Sequence, residues 1–213
     1  MNISSGLAYR PLVGAADYCA SKAALRMAGM ALAIVATLLG SEVQSYGFII
    51  AGVLVGAPIG IVLAMRIQMT AMPQLVAALH SFVGLAAVLV AIGTFLNKRD
   101  AGLLNAVLMG ELSAGAIIGA ITFTGSVIAF GKLQGLISGK PVKFAMQHQL
   151  NAGIAVLTIA FGVHFAMTGS VVSLALMTLL ALLLGVTLII PIGGADMPVI
   201  ISMLNSYSGW AAP

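Results

Sequence analysis

Residues 72–96 read MPQLVAALHSFVGLAAVLVAIGTFL, a run without a formal charge, closed by Asn97-Lys98-Arg99-Asp100. At about 1.5 Å of rise per residue, a helix over this run measures about 37 Å. That exceeds the roughly 30 Å hydrocarbon thickness of a bilayer. Apolar and polar positions do not alternate, so a membrane barrel strand is excluded, and a helix is the remaining element that satisfies its own backbone in lipid.

Charges cut the rest of the chain into similar runs. Met27–Gly40 is a short first span that can extend back through Ala23–Arg26, with Lys22 and Arg26 snorkelling. Gly47–Met65 is the second span and Met72–Leu96 the third. The fourth lies between Asp100 and Lys132, Leu150–Met167 is the fifth and Val171–Ile190 the sixth. A seventh begins near Met197. The expected fold is therefore all-α, a polytopic membrane helix bundle of six spans plus a truncated seventh. Small residues four apart, Gly56/Gly60 and Gly115/Gly119, are candidates for close helix approach.

Composition agrees. Hydrophobic residues make up 61% of the 213 residues and charged ones 7%, with a mean hydropathy of +1.16. So few charges cannot cover a water-facing surface, which excludes a soluble globular monomer; the apolar content excludes disorder. One Cys rules out a disulfide framework and a multi-cysteine metal site. The formal charge of +4 is no nucleic-acid signal, because the cations are scattered between apolar runs. Arg10, Lys22, Arg26, Arg66, Lys132, Lys140 and Lys143 fall on one side of the membrane and only Lys98 and Arg99 on the other. The positive-inside rule then puts the N-terminus in the cytoplasm. The first 26 residues lack the apolar core of a cleavable signal peptide.

Polar groups inside a bilayer are costly and are read first as functional. His80 lies about 12 Å into the third span and is followed by Ser81. Either it relays protons or it is a neutral histidine satisfied by a neighbouring helix. Glu111 sits about ten residues into the fourth run, with Ser126 15 residues further on, about 60° round the helix. The two line one side of a pore, or the run splits, leaving Glu111 near an interface and Ser126 back-bonded to its own helix. Asn205 lies in the last segment among Ser202, Ser206 and Tyr207. Asp196, in Gly193-Gly194-Ala195-Asp196-Met197-Pro198, either caps that helix or stands at a channel mouth. His148 and His164 read as interfacial. Nucleotide-loop and zinc-ligand spacings do not occur.

The same polar residues carry a resemblance. Met72 through Val90, Gly119-Ala120-Ile121-Thr122-Phe123-Thr124-Gly125-Ser126-Val127, and Ile192 through Val199 running into Ser202 through Trp210 resemble segments of the β subunit of proton-translocating NAD(P)+ transhydrogenase. The resemblance covers about residues 27–213. It implies membrane helices that form a proton path, with proton flow driving hydride transfer from NADH to NADP+. It implies His80 as the channel histidine, Ser126 and Asn205 as polar residues of the same path, Asp196 as an acidic residue at the NADP-domain end, and Glu111 at an acidic position of the family. It implies an NAD(H)-binding α subunit, an NADP(H)-binding domain after the last helix, a dimeric complete enzyme and an inner (plasma) membrane location. No cofactor, nucleic acid or metal is expected on this chain itself. Residues 27–213 are thus expected to be an incomplete transmembrane proton-channel domain, with the NADP(H)-binding domain absent.

Residues 1–26 differ. Asn2-Ile3-Ser4-Ser5-Gly6 and Tyr18-Cys19-Ala20-Ser21-Lys22 resemble the active-site stretch of a short-chain dehydrogenase/reductase. Ser5, Tyr18 and Lys22 match its triad, and Tyr18 and Lys22 share one helical face. The nucleotide-binding strands that would precede them are missing, so the triad is expected to be inactive and the segment a fused or artefactual cytoplasmic piece. The alternative function is a non-catalytic membrane scaffold or a gene fragment without activity; a soluble reductase fails on composition.

Overall fold

The computed structural model describes residues 46–209. The first span expected from the sequence, Ser5, Tyr18, Lys22 and Trp210 lie outside them. All the described elements are helical. The chain divides at Arg66/Ile67 into two compact units.

In the first unit, α1 (Tyr46–Arg66) is 21 residues long, about 31 Å, and within a residue of the expected span. Pro58 lies inside it, and Arg66 in its last turn complements the negative end of the helix dipole.

The second unit begins with a 3₁₀ turn, Met69–Ala71, that feeds α2 (Met72–Asp100). Pro73 suits the first turn of α2, where its missing N–H has no intrahelical partner to lose. α2 runs a full turn past the expected Leu96, because Lys98 and Arg99 are favourable at a helix C-terminus. It closes in a Schellman turn. Leu103 N–H donates to Lys98 O (2.9 Å) and Gly102 N–H to Arg99 O (3.1 Å), with Gly102 at φ +68°. Asn105 then caps α3 (Ala106–Leu133), its side chain accepting from Leu108 N–H at 2.7 Å. α4 (Gln147–Thr168) and α5 (Val171–Ile189) form a hairpin across Gly169-Ser170, with Gly169 at φ +63°. A second 3₁₀ turn, Gly194–Asp196, leads into the short α6 (Met197–Ser208). Five of the described helices are long and apolar enough to cross a membrane; α6, at 12 residues, is not.

α3 is the central helix and touches α2, α4, α5 and α6. Its contacts are made by small residues. A Cβ added at Gly84 of α2 would stand 2.6 Å from Phe123 N and 2.7 Å from Gly119 O, so the two backbones touch. One added at Gly185 of α5 would stand 2.6 Å from Ile121 O and against Thr124 Oγ1. Of the Gly115/Gly119 pair only Gly119 does this; Gly115 has nothing within 4 Å. Thr124 Oγ donates to Leu182 O (2.8 Å) and Ser113 Oγ to Gly162 O (3.3 Å), tying α3 to α5 and α4. Outside, Phe82, Val90, Val163 and Val172 are each more than half exposed. Small and hydroxylated residues inside with bulky apolar ones outside is the pattern of a surface solvated by lipid chains.

Three apolar layers follow one another along this bundle. Phe95, Met109, Leu112, Phe165 and Met177 fill the end near Asp100, with the Phe95 and Phe165 rings edge-on at 5.0 Å. Val88, Ala120 and Ala181 form the middle. Ala77, Ala129, Ile189, Met197, Ile201 and Leu204 fill the end near Met72.

Candidate functional site

The α2/α3 hairpin has a readable register. Gln74 Nε2 donates to Leu133 O (3.1 Å) and accepts, through Oε1, from Gln134 Nε2 (2.7 Å). Ala77 and Ala129 share one buried layer, and Gly84 meets Gly119 and Phe123. His80 is three residues beyond Ala77 and Ser126 three before Ala129. The antiparallel run therefore puts His80 and Ser126 on the same level, one turn inside the Ala77/Ala129 layer.

Both side chains are buried, His80 at 5% exposure and Ser126 at 0%. The Ser81 hydroxyl beside His80 is turned back onto Ala78 O (2.7 Å). Ser126 Oγ differs: it is buried and has no hydrogen-bond partner among the described residues. A hydroxyl both donates and accepts, and leaving one dry costs about 1–3 kcal/mol. It thus marks a place where a water or a proton-bearing group is favourable.

Asn205 stands on α6, next to Leu204 of the adjoining apolar layer. Met197, Ile201 and Leu204 are the buried face of that helix, and a Cβ at Gly125, next to Ser126, would lie 3.4 Å from Leu204 Cδ1. Asn205 follows Leu204 and is itself exposed, on the flank of the buried face.

The other two sequence candidates lie at opposite ends. Asp196 is exposed in its 3₁₀ turn, its carboxylate lying back over Gly193, and it makes no side-chain hydrogen bond among the described residues. It does not cap α6, although Pro198 stands in that helix's first turn as expected. Glu111 is exposed in the second turn of α3. The run does not split; it starts later than expected, at the Asn105 cap, and this leaves Glu111 near the helix end, far from Ser126. Of the remaining histidines, His148 is paired with Gln147 at 3.5 Å, and His164 Nδ1 lies 2.7 Å from Ser173 Oγ near the end of α4. Among the described residues no three His, Cys, Asp or Glu side chains gather as a metal site.

One polar residue was not singled out in the sequence. Lys132 reads there as a boundary cation, yet it is 4% exposed and its ammonium donates to Ile190 O (2.6 Å) and Ile192 O (2.7 Å). Its only sequence signal is its position, inside the last turn of an apolar helix.

Comparison with known proteins decides the family. The model of the NAD(P) transhydrogenase beta subunit family matches residues 14–213. The chain belongs to the NAD(P) transhydrogenase beta subunit family. Two relatives, both described as NAD(P) transhydrogenase subunit beta and both from Rhodospirillum rubrum, are each 57% identical over 191 residues. That alignment takes in 87% of this chain and 41% of each relative, so the chain spans about two fifths of the length of the beta subunits it matches. The family match begins at residue 14 and so takes in Tyr18 and Lys22, while Ser5 precedes it. In this member of the transhydrogenase beta subunit family, His80 and Ser126 are buried within the second unit.

Proposed function

We propose that this chain is the proton-translocating membrane part of a transhydrogenase that couples proton flow to hydride transfer from NADH to NADP+. The observation that supports it most is the level shared by buried His80 and the partnerless hydroxyl of Ser126. An imidazole takes a proton on one ring nitrogen and releases one from the other. A buried hydroxyl holds a water in line with it, since it can donate and accept in turn. Asn205, on the flank of α6, extends the polar lining outward from that level. Asp196 faces the NADP(H)-binding domain and reports its state to the path; Glu111 serves the opposite end. The hydride chemistry belongs to NAD(H) on the α subunit and NADP(H) on the domain that completes the β subunit.

Lys132, Lys140 and Lys143 gather at the Asp196 end, and Lys98 and Arg99 at the other. By the positive-inside rule the Asp196 end is cytoplasmic, in the inner membrane of the cell, and the nucleotide domains dock there. The complete enzyme is a dimer on this reading.

The test places this chain as the matching part of a complete transhydrogenase in liposomes and follows proton uptake with nucleotide turnover. His80→Ala is expected to abolish coupled turnover while assembly is retained. Unchanged proton uptake in the assembled variant refutes the assignment and leaves the non-catalytic scaffold as the better reading.

A further inference from the structure

Lys132 lies where a lysine would ordinarily reach for water. Near the end of a membrane helix, its four-carbon stem lets the ammonium snorkel to the headgroups. Here the residue is 4% exposed, and the ammonium turns inward to the carbonyls of Ile190 and Ile192, on either side of Pro191. Burying an ammonium is costly before its hydrogen bonds are counted, and an apolar side chain of equal length would fill the same space. What the ammonium adds is direction: it fixes two carbonyls beyond the C-terminal end of α5, where positive charge is favourable.

Those carbonyls open the segment that ends in Asp196. The segment is held a second time by Gly194 N–H donating to Gly139 O (2.8 Å), in the loop that follows α3. Directly after Asp196 comes Met197, whose side chain is fully buried in the layer of Ala77 and Ala129. That layer is one helical turn from the His80/Ser126 level. Met197 therefore stands between the exposed Asp196 turn and the buried pair, and the position of the turn decides whether that layer stays filled.

We propose that Lys132 is a positioning residue for the proton path: by pinning the carbonyls of Ile190 and Ile192 it keeps the Asp196 turn, and with it Met197, closed over the His80/Ser126 level. This rests on the proton-path reading above. When the turn is drawn away from Lys132, Met197 withdraws and the level opens to water at the Asp196 end. The state of whatever docks on that turn is then communicated to His80 through Met197.

The test uses the full chain in liposomes loaded with a pH-sensitive dye and reads the passive proton leak after a pH step. Lys132→Met keeps the volume and removes the donors; Lys132→Arg keeps the charge and donors. Lys132→Met is expected to raise the leak about tenfold, and Lys132→Arg to leave it near the unmodified value. Met197→Ala thins the layer without touching the lysine and is expected to leak as well, so the seal is tested even where Lys132→Met does not fold. A high leak in the unmodified chain, a tight Met197→Ala variant, or a Lys132→Met variant that folds and stays tight each overturns the proposal. Adding His80→Ala to the leaking variant separates the two readings. A leak that disappears supports both. A leak that persists keeps the Lys132 seal and refutes conduction through His80.

Discussion

Replacing Gly84 by Ala tests the central contact of the bundle. The added methyl would lie 2.6 Å from Phe123 N and 2.7 Å from Gly119 O, both of them backbone atoms that no rotamer change can move aside. Ordinary contact begins near 3.4 Å, so α2 and α3 must part locally by about 0.8 Å. A gap of that size forfeits a quarter to a half of each dispersion contact along the seam, and overpacking of this kind costs about 1–3 kcal/mol. Ala also favours the helix over Gly by about 1 kcal/mol, which hides part of the cost. Gly93 is the internal control: it lies on the same helix and has nothing within 4 Å. The difference between Gly84→Ala and Gly93→Ala removes the propensity term and should be about 1–3 kcal/mol, with Gly93→Ala the more stable. Reversible unfolding of the full chain in mixed micelles, followed by helicity, gives both values. Equal stability of the two variants would refute the close-contact argument, and Gly119→Ala against Gly115→Ala repeats it from the other helix.

Ser126→Ala should separate function from stability. Removing a buried hydroxyl without a protein partner is expected to leave unfolding unchanged or to stabilise by about 1 kcal/mol. Coupled proton uptake in the complete enzyme should fall at least about tenfold; a clear loss of stability would mean that Ser126 Oγ is bonded to a protein group in the folded chain. Thr124→Val deletes the hydroxyl that donates to Leu182 O and should cost about 0.6 kcal/mol, the typical value for an interhelical bond in a membrane. A cost well above about 2 kcal/mol would show that Thr124 does more than tie α3 to α5.

The described long helices were legible because charge is so rare that an ionic cluster marks most of their ends. The helix ends were less so. Lys98 and Arg99 look like a boundary in sequence, but a helix C-terminus welcomes cations, and α2 absorbs them. The depth of Glu111 stays open when the fourth span is counted from Asp100; Asn105, a cap residue ahead of an apolar run, marks the start that places it near the helix end. Which glycine meets a neighbour depends on helix rotation, and small-residue spacing does not encode that. The spacing marks Gly119 and Gly115 alike, and only the first faces Gly84. The polar level was legible as a list of unexpected residues. Its geometry was not, because the pairing of His80 with Ser126 comes from the hairpin register. Lys132 escaped because the same residue type at the same depth ordinarily snorkels.

The three apolar layers give the proton-path reading a direction. On the Asp196 side a single apolar layer, within the eight residues or about 12 Å from His80 to Met72, separates His80 and Ser126 from the end of the bundle. On the Glu111 side two layers intervene, and the farther includes Phe95, fifteen residues or about 22 Å beyond His80 on the same helix. A proton at His80 therefore has a thin barrier on one side and a thick one on the other. Opening the thin side takes the displacement of one short turn, whereas opening the thick side requires helices to move apart. On this reading the nucleotide end gates readily and the opposite end is the guard against leak. The asymmetry is measurable in the same dye-loaded liposomes. Met197→Ala should leak, whereas Ala181→Ser should stay tight, because the layer of Phe95, Met109 and Phe165 still lies behind it. Equal leaks from the two variants would mean that the barriers are alike and that the gate is not set by the depth of apolar packing.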